Sequence, residues 1–143
     1  MTNKTKSAPE YTAFIESLQL STIGLHAASC ALDRDEYWER DTEKKLDYRL
    51  ASTVTERSKK HFDAKSSLTL TLCDDKSPSP VLRVEVTFDL HFHGDSIIQE
   101  FVDKFCESEM RLIVWPYFRE YVSNLTGRMH IPPVILPLSD KER

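Results

Sequence analysis

Residues 81–93 alternate cleanly between apolar and polar. Leu82, Val84, Val86, Phe88, Leu90 and Phe92 fall on one side, and Arg83, Glu85, Thr87, Asp89, His91 and His93 on the other. A period of two over that length predicts a strand with one buried face. Two earlier stretches carry the same signal. Lys45 to Glu56 places Leu46, Tyr48, Leu50 and Val54 in phase, and Phe62 to Cys73 places Phe62, Ala64, Leu68, Leu70 and Leu72 in phase. Tyr11 to Ser29 reads as a longer, imperfect strand. Phe14, Leu18 and Leu20 lie in one phase and Ile23, Leu25 and Ala27 in the other, which predicts a bulge near residues 21–24. Residues 57–60 form a turn, and the Asp-, Ser- and Pro-rich run 74–80 a loop.

After Gly94 the period changes. Ile97, Ile98, Phe101, Val102 and Phe105 predict a helix capped by Asp95 or Ser96. Met110, Ile113, Val114, Tyr117, Phe118, Tyr121, Val122 and Leu125 then form the stripe of a core-facing helix. Pro116 interrupts it, so the helix either kinks there or restarts. Gly127 is the expected left-handed closure. Leu112 and Trp115 lie beside the stripe. Two readings stay open with equal weight: a contact with another subunit, or a helix whose Trp115 is half covered. The run 131–137, Ile-Pro-Pro-Val-Ile-Leu-Pro, is extended, rigid and apolar, and no central strand can hold it.

Strands joined by short links pair antiparallel, and each has one apolar face. The expected fold is therefore α+β: a four-stranded antiparallel sheet with a long C-terminal helix packed on it. Residues 1–10 are expected to be a disordered tail, 11–138 a single domain, and 139–143 a charged tail. Four long strands need more cover than one helix supplies. Self-association would complete the layer, with Leu112, Trp115 and Arg119 at the interface.

Charge and chemistry narrow the function. The 143 residues carry a formal net charge of -4, which does not suit a nucleic-acid surface. Acidic runs at 33–43 and 95–109 are solvated surface or docking patches for a basic partner. The polar start is no signal peptide and no segment is long enough to span a membrane, so a cytoplasmic location is expected. Cys30, Cys73 and Cys106 have no CxxC spacing. His91 and His93 share a strand face with Asp89, yet no fourth metal ligand is indicated. The three glycines are far apart, so there is no phosphate loop and no cofactor is expected. The chain is read as no enzyme but a binding module.

Ile113-Val114-Trp115-Pro116-Tyr117-Phe118-Arg119-Glu120, with Leu125, Arg128 and the run 131–137, resembles the signature of SecB-type export chaperones. Lys45-Leu46-Asp47-Tyr48 is similar to the start of that family's second strand. The likeness spans residues 11–138. It implies a SecB-like oligomer, a dimer or tetramer with helices between sheets, that holds unfolded polypeptides or preproteins without ATP. It hands them to the SecA motor, or protects an antitoxin in a toxin–antitoxin system. Residues 95–112 depart from the family, and the chain stops at Arg143 without the family's second C-terminal helix, which puts coupling to SecA in doubt. The expected client contacts are Tyr37, Trp38, Trp115, Tyr117, Tyr121, Ile131 and Leu136. Tyr117 and Tyr121 have an equal claim to be core. Glu85 and Asp89 are the expected partner-docking residues. A non-catalytic adaptor for one folded partner is the alternative.

Overall fold

The computed structural model describes residues 8–39, 43–75 and 77–138. Four strands form one antiparallel sheet: β1 (Gln19–Leu32), β2 (Lys45–Arg57), β3 (His61–Asp74) and β4 (Ser77–His93), in the order β1-β4-β3-β2. The helices are α1 (Ala8–Ser17), α2 (Arg34–Glu39), α3 (Gln99–Glu107) and α4 (Glu109–Arg128). The expected α+β class and the single covered sheet face are both present. On β3 and β4 the in-phase apolar residues are buried, while their neighbours, apart from the buried Val81, are half-buried or exposed.

The start of the chain departs from expectation. Residues 8–17 are a helix, not the end of a tail followed by strand. Tyr11 and Phe14 are three apart, which puts both on one helical face, and both pack against the Phe101 ring of α3 with centroids 5.4 Å apart, Tyr11 edge-on and Phe14 tilted. Tyr11 also donates a hydrogen bond to Glu109, and the Lys104 ammonium sits 4.3 Å from its ring centre. The alternation Phe14, Leu18, Leu20 was a helical repeat running into a strand. Residues 1–7 and 139–143, where the expected tails fall, lie outside the described residues.

β1 holds two bulges. Its register against β4 shifts between Leu20 and Thr22, as expected, and again between Leu25 and Ala27. Directly paired residues share a sheet face. Ile23 and Leu25 pair with the core residues Leu90 and Phe88, but Ala27 pairs with the outward Thr87. The second bulge therefore hands the inward phase to Ala28 and Cys30.

The loop expected at 74–80 shrinks to a hairpin turn, with Asp74 paired to Ser77. Pro78 and Pro80 lie inside β4, but β1 reaches only as far as Leu82, so neither faces a β1 partner. α3 begins later than expected. The backbone N–H groups of Gly94 and Ile97 bond to Lys60 and Lys59 in the β2–β3 turn, both at 2.9 Å, which holds this segment extended. Ile98, not Asp95 or Ser96, occupies the cap, and no side chain caps it.

α4 runs through Pro116 without a break. Its buried residues are Met110, Val114, Trp115, Phe118, Val122 and Thr126. The stripe is thus rotated from the expected one, so Trp115 lies inside it and Tyr117 on its border. Gly127 is helical, and no described glycine has a positive φ; His130 takes that conformation, with φ 61°. Its N–H bonds to the Gly127 carbonyl at 3.2 Å and closes the helix. A β-carbon is strained there, so His130→Gly should raise stability by about 0.5–1 kcal/mol in chemical denaturation, the strain relief exceeding the added chain entropy.

Candidate peptide-binding surface

α4 divides the covered face of the sheet into two sides. On the β2 side the chain comes back on itself. Residues 132–137 have no helical or strand structure and run antiparallel along α4. The Val134 N–H donates to Thr126 Oγ1 at 2.8 Å, Arg119 Nε donates to the Leu136 carbonyl at 3.0 Å, and Trp115 Nε1 donates to the Pro137 carbonyl at 2.8 Å. Thr126 in turn donates to the Val122 carbonyl, so this buried hydroxyl is satisfied on both sides. Trp115, at 2% exposure, lies between this tail and the Tyr48 ring, 5.3 Å away. Ile131 and Leu136 are buried in the same seam. Trp115, Ile131 and Leu136 are therefore brought together, but inside the chain, away from the monomer surface. Arg119 holds the tail.

On the β1 side no described residue supplies such cover. Phe88 of β4 meets Tyr117 at 6.1 Å and Tyr121 at 6.4 Å. Leu25, its partner on β1, is 51% exposed, and Tyr117 is 41% exposed. Ala28 and Cys30 continue the inward row of β1 and are also exposed. The result is an apolar strip open to solvent, with α4 as one wall. Sequence reasoning missed Leu25, Ala28 and Cys30. The available signal was β1 itself, which has no Asp, Glu, Lys or Arg from Gln19 to Leu32.

The remaining expected contacts sit apart from the strip or at its margin. α2 starts directly after β1, its entry fixed by the Asp33 N–H on the Val81 carbonyl at 2.8 Å. Tyr37 packs against the core edge under the Lys44 ammonium at 4.7 Å, and meets the Trp38 ring at 5.1 Å. Trp38 is 57% exposed. Leu112 is 68% exposed on α4, and the tail leads the equally apolar, exposed Leu138 toward that end of the helix.

The outer sheet face is polar and internally paired. Arg83 holds Glu85 at 2.5 Å. Asp89 is bonded by Lys65 at 2.5 Å and by His26 at 2.9 Å. His91 bonds Asp63 at 2.6 Å, and His93 bonds Ser21. The two bulged residues of β1, Ser21 and His26, are thus each tied to β4 by a side-chain bond. The expected docking residues Glu85 and Asp89 are both exposed enough to be reached, but each already has a cation. Among the described residues no group of three or more His, Cys, Asp or Glu gathers that could hold a metal ion, and no helix is long and apolar enough to cross a membrane.

No protein-family model matches the chain, and no curated protein matches it. Among solved structures it is similar to a SecB-like chaperone of Mycobacterium tuberculosis, determined in complex with a ChAD peptide from the HigA1 antitoxin. The TM-score is 0.73 and the identity 22%, over 87% of this chain and 92% of that one. A protein of unknown function from Streptococcus agalactiae aligns with a TM-score of 0.49 and 9% identity, over 85% and 97% of the two chains. The first likeness establishes a shared fold, and the fold of this chain is SecB-like.

Two outcomes follow from the local chemistry. The hydrogen bond from Lys65, with that from His26, holds the Asp89 carboxyl below the usual carboxylate range. A carboxyl lowered in the folded state contributes stability above its unfolded pKa and loses it as pH falls through the folded value. Asp89→Asn should therefore lower stability at pH 7, by under about 1 kcal/mol at so exposed a site. The difference should close as pH falls below about 4. Separately, burial pushes the Cys106 thiol up to about 11, with Asp103 and Glu107 adding to the effect. Alkylation at pH 8 followed by mass spectrometry should modify the exposed Cys30 first and Cys106 only under denaturing conditions.

Proposed function

We propose that this chain is an ATP-independent holdase. It binds extended segments of unfolded polypeptide along the apolar strip between β1 and α4. One observation carries the reading: on a SecB-like fold, Leu25 and Tyr117 leave an apolar surface open beside the main helix. Apolar burial is not directional, so such a strip accepts many sequences. Tyr117 and Tyr121 supply its wall. Tyr37 and the exposed Trp38 extend the contact at the end of β1, where a rigid aromatic adds area at little entropic cost.

The protein works in the cytoplasm as a dimer or tetramer. Leu112 and Arg119 belong to the surface through which copies meet, and Trp115 supports it from below. The partner in the solved SecB-like complex is an antitoxin peptide, which makes an antitoxin-type segment the favoured client here. Delivery to the SecA motor through Glu85 and Asp89 requires those carboxylates to exchange Arg83, Lys65 and His26 for cations of the motor. That competition makes the sheet face a weak docking site.

The reading is tested by following the aggregation of three unrelated denatured proteins without nucleotide. An equimolar amount of the chain should suppress all three, and light scattering should give the mass of a dimer or tetramer. Leu25→Ser with Tyr117→Ser should lose most of the suppression. Both side chains are exposed, so the melting curve should shift by no more than about 0.5 kcal/mol equivalent. A monomer that protects none of the three proteins would falsify the proposal. Tight binding of one folded partner without general suppression would replace it with an adaptor.

A further inference from the structure

Three histidines share two adjoining rungs at one end of the outer sheet face. His91 and His93 stand two apart on β4, so they point the same way. The register sets His61 of β3 directly opposite His93, and Asp63 directly opposite His91. Opposed residues share a face. In the rung between them, on the inner face, the rings of Phe62 and Phe92 stack with centroids 4.9 Å apart. Just beyond, the Gly94 N–H bonds to the Lys60 carbonyl at 2.9 Å. Packing and backbone thus fix the register that brings the third imidazole to the His-x-His pair. Each ring is held at its Nδ1. His91 bonds the Asp63 carboxylate at 2.6 Å, His93 bonds Ser21 Oγ and His61 bonds Ser58 Oγ. A carboxylate only accepts, so a neutral His91 carries its proton on Nδ1 and presents the lone pair of Nε2. The two serine hydroxyls can accept in the same way. An oxygen on one ring nitrogen, with the other nitrogen left open, is how metal-binding histidines are oriented. Three imidazoles on two neighbouring strands form a donor set for Zn²⁺, Ni²⁺ or Cu²⁺ and not for Mg²⁺ or Ca²⁺. As the side chains stand, no three of these groups gather closely enough to hold an ion. All three histidines are exposed, and exposed side chains change rotamer readily, so an arriving ion has only to turn the rings together.

We propose that His61, His91 and His93 bind one transition-metal ion of the zinc type on the outer face, with Asp63, Ser21 and Ser58 as positioning residues behind them. The remaining coordination position falls to water or to a donor from outside the chain. The ion joins β3 to β4 at the end of the sheet where the β2–β3 turn is tied to residues 94–97. The unfolded chain does not hold the three rings together, so binding adds to folding stability. The site is independent of the polypeptide-holding strip, which lies on the opposite face of the sheet.

The test uses the full chain without a histidine tag, stripped of metal by a chelator, and Zn²⁺ alone as the probe. Isothermal titration should show saturable binding of one Zn²⁺ per chain that excess Mg²⁺ does not displace. His61→Ala, His91→Ala and His93→Ala should each weaken binding about tenfold or more, since even a partner behind a ligand is worth that much. His130→Gly, at the end of α4, should bind as the parent does. A folded His61→Ala variant that also binds like the parent means the ion uses the His-x-His pair of one strand only, and overturns the proposal. Absence of saturable binding overturns it as well. Diethyl pyrocarbonate footprinting of the parent decides the matter even where a variant does not fold. Zn²⁺ should protect His61, His91 and His93 together and leave His26 and His130 reactive. Equal modification of the three with and without Zn²⁺ means that no such site exists.

Discussion

A sheet with one apolar face must have that face covered, and here the cover is narrower than the sheet. Four strands spaced about 4.8 Å apart span roughly 14–19 Å across, whereas a helix with its side chains is about 10–12 Å wide. One helix therefore covers about two strands. α4 lies over the middle of the sheet, where Phe88 meets Phe118, and α3 closes one end through Phe62, Phe92 and Phe105. The flanks must be covered by something else. On the β2 side the proline-rich tail supplies it. On the β1 side nothing in the described chain does, and the exposed Leu25 is the direct consequence.

The same asymmetry appears at the two sheet edges. β2 carries Lys45, Asp47, Arg49, Glu56 and Arg57, charges that discourage pairing with a stray strand. β1 carries none and relies on its two bulges instead. The bulged residues Ser21 and His26 reach onto the outer face and join the cross-strand pairs of β4. On that face Arg83 pairs with Glu85, Lys65 and His26 with Asp89, and His91 with Asp63. That chemistry gives no reason for a polypeptide partner to prefer the face, whereas the apolar strip on the other face has an unmet need for cover.

The strands were legible because burial on one face imposes a period of two. The run from Leu82 to Phe92 could be read without error, and β2 and β3 nearly so. Their lengths were less legible. Pro78 and Pro80 looked like loop, yet β4 holds them where it has outrun its β1 neighbour. The first helix was missed because Tyr11, Phe14 and Leu18 run into a strand of similar composition, and only contact with Phe101 distinguishes the two. Trp115 was misplaced for a related reason. A periodic stripe gives the direction of the core only if the core is on one side, and α4 is packed by the sheet on one flank and by its own tail on another.

The alternation along the strands and the absence of a phosphate loop or a CxxC spacing settled the α+β class and the lack of a recognisable catalytic pattern from residues alone. The signature around Trp115-Pro116-Tyr117 pointed to the SecB-like fold. Local order decides these things, since they depend on neighbours in the chain. Tertiary structure alone decided which apolar residues are hidden and which remain open. Trp115 and Leu136 vanish because residues 131–138 fold back onto α4, with bonds that span 8 to 22 positions of chain, and Leu25 stays bare because no described element reaches that flank. Exposure is a property of what lies opposite a side chain, and a sequence does not state what that is.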